Sequence, residues 1–400
     1  MFEQPDPNDN DESTRTVSTS PAMESARVAS AGAVNTATPR IVVAIPVRNE
    51  AARIGACLHA LATQTGAAVD RVVLLLNNCT DDTRVRADAG AAALGLTIEC
   101  VERKLPGAQA TAGFARRMAM HHAASGLTEK DILTTTDADG RVAPNWVAET
   151  RRALGRGVDA VCGRAVIDPM EAQAIPAQLH ADDAFESRLG ALLDEITWLL
   201  DPESYDPWPR HSEHSGASIA VTVAAWRRAG GMPALASGED RAFIDKIRRM
   251  DGRVRHPKEV WVTVSGRLEG RAAGGMADTM RRRIVSQDEF TDSTIEPVRL
   301  RYRRIVLRAQ ARALWAGCWA GLHDFVHASG VPLDVVRAAL ACRYFGRAWE
   351  ILERACPFLS PRKVRFTELP REIEIAEAMC GALRARAVRA EPSRAMPARP

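Results

Sequence analysis

The chain has 400 residues, which is enough for one large domain with an accessory one, and 46% of them are hydrophobic, as in a globular protein. Its formal net charge of +3 is small for this length and gives no support to nucleic acid as a partner. The 8 cysteines are widely spaced without a Cys-x-x-Cys pair, which disfavours zinc or a disulfide framework and favours the reduced thiols of a cytoplasmic protein. The sequence shows neither a secretory signal pattern nor an apolar run long enough to span a bilayer.

The first part of the chain divides near residue 39. Residues 1–38 are rich in Ser, Thr, Pro, Asn and acidic residues, and this composition predicts a disordered tail. Residues 41–45 form a continuous apolar run, which is typical of a parallel strand that is buried on both faces. Pro46 ends this strand, and a helix with one apolar face is predicted from about Glu50 onward.

The alternation of strand and helix then continues. Residues 72–76 and 96–101 predict two further strands, residues 107–124 predict a helix, and a fourth strand ends at Asp137. This order predicts an α/β fold with a mostly parallel sheet flanked by helices. Ligands of such folds bind outside the carboxyl ends of the strands. All four ends carry polar side chains, namely Arg48, Asn49, Glu50, Asn77, Asn78, Asp81, Arg103, Lys104, Asp137 and Asp139.

Asp137 and Asp139 are the most informative of these residues. They lie one residue apart where a buried strand stops at Gly140, so both carboxylates can reach the same small volume. A hard divalent cation, Mg²⁺ or Mn²⁺, fits such oxygen ligands and keeps positions open for substrate phosphates. The alternative is ordinary turn chemistry, because Asp caps its own backbone and Gly accepts a positive φ.

A second acidic pair, Glu239 and Asp240, is predicted at the start of a helix, where it would serve either chemistry or capping of the helix. After the last predicted strand, residues 265–271 form a loop with glycines that permit close approach to a phosphate. Arg267 and Arg271 in this loop are candidates to clamp a diphosphate, and a basic surface loop is the alternative. The remaining predicted elements are a helix at 146–154, a strand at 160–163, an insertion at 168–210 with a helix at 185–200, a strand at 214–221, a helix at 225–229, and strands at 254 and 260–264.

The pattern becomes purely helical beyond about residue 290. Helices are predicted at 299–322, 331–356 and 370–386, and a mobile tail at 389–400. The first of these helices carries an arginine stripe at helical spacing, formed by Arg301, Arg304, Arg308 and Arg312. We expect the solvated face of a docked helix, with peripheral contact to a membrane surface as the alternative.

Four elements in order resemble the family-two glycosyltransferases with a GT-A fold. They are the strand end at 45–50 (Ile-Pro-Val-Arg-Asn-Glu), the segment 77–83 (Asn-Asn-Cys-Thr-Asp-Asp-Thr), the Asp-x-Asp element at 136–139 and the Gly-Glu-Asp element at 238–240. The resemblance covers about residues 40–285. It implies a GT-A-like glycosyltransferase domain at 39–290, which the helical region at 291–388 then follows.

The resemblance also implies roles for single residues. The donor is a nucleotide diphosphate sugar whose base and ribose contact Pro46, Glu50, Asn78 and Asp81. Asp137 contacts the ribose and, with Asp139, a metal that bridges the diphosphate. In inverting members the Glu-Asp element supplies the catalytic base, which is Asp240 here with Glu239 beside it. The acceptor stays unidentified.

Two other functions are compatible with the same sequence. One is a retaining glycosyltransferase that acts on a small organic acid, and the other is a non-catalytic scaffold that binds a sugar nucleotide. The third metal ligand of many GT-A enzymes, often a histidine, is expected near Ser265, whereas the nearest histidine is His256. Arg116 and Arg117 are expected as an exposed helical pair, with approach to the donor phosphates as the alternative. His211 and His214 are expected as structural or solvated residues, with a place in the acceptor pocket as the alternative.

Overall fold

The computed structural model describes residues 38–268, 270, 276–286 and 288–390. The predicted tails at 1–38 and 389–400 lie almost wholly outside these residues, and so does Arg271. The remaining predicted site residues are all described.

A seven-stranded sheet forms the centre of the described chain, with the strand order β3-β2-β1-β4-β8-β6-β9. Strands β1 to β4 are mutually parallel, β8 is antiparallel to both of its neighbours, and β6 and β9 are parallel. The predicted mostly parallel sheet is therefore confirmed. The strands are β1 (Ile41–Val47), β2 (Arg71–Asn77), β3 (Ile98–Arg103), β4 (Ile132–Thr135), β6 (Ala160–Cys162), β8 (Ile219–Thr222) and β9 (Val254–Arg255).

A smaller three-stranded sheet has the order β5-β10-β7, with β5 (Arg141–Val142), β7 (Arg164–Ile167) and β10 (Trp261–Val264). Strand β10 pairs antiparallel with β5 and parallel with β7. The sequence predicted β10 but neither β5 nor β7.

Helices cover both faces of the large sheet. The first seven are α1 (Ile54–Ala62), α2 (Thr83–Leu94), α3 (Ala112–Ala123), α4 (Trp146–Leu154), α5 (Pro169–Ala172), α6 (Ala177–Leu200) and α7 (Val223–Arg228). The others are α8 (Glu239–Arg249), α9 (Met276–Ser286), α10 (Val298–Trp315), α11 (Leu322–Ser329), α12 (Leu333–Leu340), α13 (Phe345–Ala355) and α14 (Leu369–Ala390). Apolar side chains of α1, α2 and α4 pack on one face of the sheet, and those of α3, α7 and α8 on the other. This two-sided burial explains why β1 and β2 are continuous apolar runs.

Several predicted boundaries were wrong. The helix predicted at 299–322 ends at Trp315, and the one predicted at 331–356 is divided into α12 and α13. The strand predicted at 214–221 begins only at Ile219, and α6 is longer than the helix predicted at 185–200. Local pattern does not mark these breaks, because packing against other segments decides them.

The arginine stripe on α10 is not a solvated face. Arg308 pairs with Asp201 at 2.6 Å and with Glu203 at 2.7 Å, while Arg304 pairs with Glu296 at 2.7 Å. Arg301 pairs with Glu296 and Arg312 with Asp201, so all four arginines contact acids of the same chain. The prediction failed because these acids lie outside the helix, beyond the reach of a helical-spacing argument. Arg308 and Arg312 dock α10 on the loop after α6, whereas Arg301 and Arg304 bind Glu296 just before α10.

No helix in the described part of the chain is long and apolar enough to cross a membrane.

Candidate active site

Asp137 and Asp139 lie in a turn directly after β4. The N–H of Gly140 donates to the carbonyl of Asp137 at 3.0 Å and closes this turn. A side chain at position 140 would bring its Cβ to 3.2 Å from that carbonyl and 3.3 Å from Val262, so glycine suits the close packing here. The two carboxylates thus stand at the carboxyl end of the sheet, where the sequence placed them.

Arg116 joins this turn to the second acidic pair. Its guanidinium is buried, with 6% of the side chain exposed, and donates to Asp137 at 2.8 Å and to Glu239 at 2.9 Å. It also donates to the hydroxyl of Thr135 at 3.0 Å and to the carbonyl of Gly216 at 2.8 Å. Burial acts to lower the pKa of Arg116, but the charges of Asp137 and Glu239 outweigh this effect and raise it.

The prediction of an exposed Arg116–Arg117 pair was therefore half wrong. Arg117 is exposed and donates to the carbonyl of Met232 at 3.1 Å, whereas Arg116 points into the protein. Two adjacent arginines on a helix face different directions, and the sequence contains no signal that says which one is buried. Gly113, one turn before Arg116, packs against the next element so closely that a Cβ would lie 2.2 Å from the carbonyl of Leu235.

Gly216 connects Arg116 with Asp240. Its carbonyl accepts from Arg116, and its N–H donates to Oδ2 of Asp240 at 2.8 Å. A Cβ at position 216 would lie 2.6 Å from the guanidinium, so a larger residue cannot occupy this position without displacing Arg116. The acids at 137, 239 and 240 thus belong to one network, and Asp139 lies in the same turn as Asp137.

Asp240 lies in the first turn of α8, which begins after Gly238 in the left-handed region at φ 71°. Its Oδ1 accepts from the N–H of Arg241 at 2.7 Å. This bond lies inside the helix, whose N-cap residue is Gly238 and which has no side-chain cap. Its side chain is more accessible than that of Glu239, which is 7% exposed and bound to Arg116. Glu239 thus orients Arg116, and Asp240 is the acid of this pair that can meet a ligand.

Arg267 holds the other side of the Asp-x-Asp turn. It forms a bidentate pair with Glu50, with distances of 2.7 and 3.1 Å, and lies 3.0 Å from Oδ2 of Asp139. Burial acts to lower the pKa of Arg267, but the hydrogen bond with Glu50 and the charges of Asp139 and Glu50 raise it. The prediction placed Arg267 near a diphosphate, and the structure brings it to the two acids at this rim of the sheet.

Hydrogen bonds with a residue of α5 fix the loop that carries Arg267. Glu171 of α5 accepts from the hydroxyl of Ser265 and from the N–H of Gly266, both at 2.8 Å, and pairs with Arg53 at 2.6 Å. A Cβ at Gly266 would lie 2.9 Å from Ile167 and 3.1 Å from Glu171. The glycines of this loop were predicted to allow close approach of the backbone to a phosphate. At Gly266 the close neighbours are protein atoms, which leave no space for a side chain.

The environment of Asp139 disfavours the ionised form of its carboxyl group. Burial raises its pKa, the charge of Asp137 raises it further, and Arg267 only partly opposes them, so that the pKa is about 6. Asp137 and Asp139 are a donor set of hard carboxylate oxygens, of which Arg116 and Arg267 each engage one. This set fits a divalent cation of the Mg²⁺ or Mn²⁺ type.

Asn78 and Asp81, the predicted nucleoside contacts, both form hydrogen bonds with backbone groups of nearby segments. The side chain of Asn78 exchanges two hydrogen bonds with the backbone of Leu105, at 2.9 and 3.1 Å. Asp81 accepts from the N–H of Thr83 at 3.1 Å and from the N–H of Ala51 at 3.2 Å. Pro46, the remaining predicted contact, pairs in register with Leu75 inside the sheet and is half-buried.

The histidines lie in a different environment from the acids. His256 is fully buried, and its Nδ1 lies 2.8 Å from Asp206. Its Nε2 lies 3.2 Å from Nε2 of His214. Burial lowers the pKa of His211 to about 4 and those of His214 and His256 well below 6.5. None of the three makes a hydrogen bond to Asp137 or Asp139, so the described residues offer no histidine as a third ligand of that pair.

Comparison with known proteins finds a family match for part of the chain. Residues 42–199 match the family model described as glycosyl transferase family 2. This region is a family 2 glycosyltransferase. The predicted family and enzyme class are thereby confirmed, and the matched region contains β1 to β4 with the Asp-x-Asp turn. Comparison with curated proteins gives no match.

Solved structures similar to this glycosyltransferase include three with bound nucleotides. The mannosyltransferase PcManGT of Pyrobaculum calidifontis, in complex with GDP-Man and Mn²⁺, is 19% identical, with 88% of this chain and 87% of that chain covered and a TM-score of 0.43. TarS 1-349 of S. aureus with UDP is 13% identical, with coverages of 86% and 91% and a TM-score of 0.44. Glucosyl-3-phosphoglycerate synthase of Mycobacterium tuberculosis with Mn²⁺, UDP and phosphoglyceric acid is 20% identical, with coverages of 62% and 78% and a TM-score of 0.37. These values are too low to transfer a donor or an acceptor.

Proposed function

We propose that this glycosyltransferase moves a sugar from a nucleotide diphosphate sugar to an acceptor hydroxyl, with dependence on Mg²⁺ or Mn²⁺. The observation that carries the proposal is the convergence of four acids and two arginines at one rim of the sheet. Arg116 ties Asp137 to Glu239, and Arg267 ties Asp139 to Glu50. A site that must bind a diphosphate needs this combination of metal-binding carboxylates and clamping guanidinium groups.

Asp137 and Asp139 would hold the cation, which supplies positive charge to the leaving diphosphate. The raised pKa of Asp139 supports this assignment, because a carboxylate that is costly to ionise alone gains most from a cation. Arg116 fixes the orientation of Asp137 from the buried side. Its other bonds, to Thr135 and Gly216, keep the guanidinium in place while the donor enters and leaves.

Arg267 is proposed to exchange partners when the donor binds. In the structure its guanidinium is shared between Asp139 and both carboxylate oxygens of Glu50. A diphosphate would attract the guanidinium and release Glu50 for the nucleoside, in line with the contact that the family resemblance implies. Asn78 and Asp81 would support the nucleoside pocket through the loops that they hold. Arg271 stays a predicted clamp residue outside the described residues.

Asp240 is proposed as the base that takes the proton of the acceptor hydroxyl, which makes the reaction inverting. The first turn of α8 fixes the position of its backbone. The N–H of Gly216 orients one oxygen and leaves the carboxylate partly accessible. Glu239 acts in this proposal as a positioning residue through Arg116.

Thermal shift with a panel of nucleoside diphosphates, each with and without Mn²⁺, tests the donor site. The melting temperature should rise with at least one nucleotide in a metal-dependent way, because a ligand that binds the native state stabilises it. The absence of any shift across the panel would contradict the proposal. Once the donor is identified, the anomeric configuration of the product, read by NMR, separates an inverting from a retaining reaction. Tight nucleotide binding without turnover over a broad acceptor panel would favour a scaffold.

A further inference from the structure

A second cluster of ligand-type side chains contains none of the acids of the proposed donor site. Cys162 is the last residue of β6, His214 precedes β8, and His256 directly follows β9. Cys162 and His256 are fully buried, and His214 is half-buried. One ligand atom from each, the thiol sulfur and a ring nitrogen of each histidine, lies within 4.8 Å of the other two.

The distance between the two histidine nitrogens in this cluster fits a tetrahedral transition-metal centre. The two Nε2 atoms of His214 and His256 are 3.2 Å apart. Two nitrogen ligands at zinc bond lengths of about 2.1 Å, separated by a tetrahedral angle, lie roughly 3.4 Å apart. Neutral imidazole and thiolate are also the ligands that Zn²⁺ prefers in proteins, in contrast to the carboxylate pair of the donor site.

Asp206 supplies the outer support that such a histidine needs. One of its carboxylate oxygens accepts from the backbone N–H of His256, and the other lies 2.8 Å from Nδ1 of the same residue. This arrangement keeps the proton on Nδ1 and directs the lone pair of Nε2 toward His214 and Cys162. A carboxylate, a histidine and a metal in this order are the usual arrangement around protein-bound zinc.

A metal-free explanation accounts for only part of these contacts. His214 could donate from Nε2 to Nε2 of His256, which explains their distance. It does not explain why a thiol from a third segment converges on the same point. The neighbouring His211 has a buried Nε2 atom without a hydrogen-bond partner among the described residues, and its ring centre lies 5.5 Å from that of His256. A buried polar atom in this state commonly lacks a ligand or a water.

We propose that Cys162, His214 and His256 bind a zinc ion that has a structural role. The ion would fasten β6, β9 and the segment before β8 to one another. His214 is two residues from Gly216, whose backbone holds both Arg116 and Asp240. The metal would therefore fix the segment that positions the acidic network. The wide spacing of the cysteines hid this site, since its ligands come from three separate segments.

Metal analysis of the purified full chain tests the proposal, after dialysis against a metal-free buffer. Wild type should retain about one zinc per chain. Cys162→Ser and His256→Gln should lose it. Cys380→Ser replaces another buried cysteine and should retain the metal. Cys380 lies in α14, and its thiol donates to the carbonyl of Leu192 in α6. Asp139→Asn should also retain it, which separates this site from the donor site.

Replacement of zinc by Co²⁺ in wild type gives a readout that does not depend on the folding of a variant. Cobalt should produce visible bands of a tetrahedral centre together with a near-ultraviolet band from thiolate to metal. This thiolate band should be absent in Cys162→Ser and present in Asp139→Asn. Folded wild-type protein that holds no zinc and gives no thiolate band with cobalt would overturn the proposal, whatever the outcome of the nucleotide experiments.

Discussion

Arg116 offers the most informative single substitution, because the structure gives it four partners in a buried position. Arg116→Met keeps the length of the side chain and removes the charge. It leaves Glu239, which is 7% exposed, as a buried carboxylate without its counter-charge. Breaking a buried ion pair by removing one partner costs about 3–5 kcal/mol, and we expect a loss of this size in the free energy of unfolding.

The adjacent arginine provides a matched control. Arg117→Met on the same helix removes an exposed side chain with one bond to a backbone carbonyl, and a change of at most about 0.5 kcal/mol is expected. Urea denaturation measures both variants under the same conditions. The double variant Arg116→Met with Glu239→Gln removes both charges. Its loss in the free energy of unfolding should be smaller than the sum of the two single losses by roughly 0.5–3 kcal/mol. If Arg116→Met costs no more than Arg117→Met, the buried network does not have the importance assigned to it.

Three further predictions concern neighbouring parts of the molecule. Gly216→Ala should lower both stability and transfer, because its Cβ would lie 2.6 Å from the buried guanidinium, whereas Gly55→Ala has free space and should be neutral or stabilising. Asp240→Asn should keep nucleotide binding and lower kcat by about 10²–10⁴-fold, and an equal loss of stability and activity would instead favour a capping role. Burial acts to raise the pKa of Glu203, but Arg308 lowers it from 4.5 to about 2, so its contribution to stability is present above pH 4.5 and is lost as the pH falls toward 2. Urea titrations across this range should show a smaller acid loss in Arg308→Met, and an unchanged loss would contradict the assignment.

The sequence predicted the parts of the molecule that depend on local pattern. Continuous apolar runs identified β1 and β2, because strands buried on both faces have no polar alternation. The acids at 137 and 139 could be placed at a shared edge, because parallel strands end on the same side of the sheet. The amphipathic α8 was also predicted from Glu239 onward, with Phe243 and Ile247 buried as expected.

The missed features all depend on contacts between distant segments. Arg116 contacts Glu239 across 123 positions, and no periodicity in α3 marks it as buried. Arg308 of α10 binds Glu203, an acid 105 positions away in the loop after α6. The cluster of Cys162, His214 and His256 likewise forms only when three strands assemble, so a search for closely spaced metal ligands does not detect it.

The most direct test of the proposed donor site is the release of nucleoside diphosphate from its sugar nucleotide, measured with and without Mn²⁺ or Mg²⁺ in wild type and Asp139→Asn. Asp245→Asn, which changes an acid of α8 away from the Asp-x-Asp turn, serves as the control. The proposal predicts release that requires the cation in wild type and in the control and is abolished in Asp139→Asn. Undiminished, metal-dependent release by Asp139→Asn would contradict the claim that the acids at this rim of the sheet bind the metal and the diphosphate.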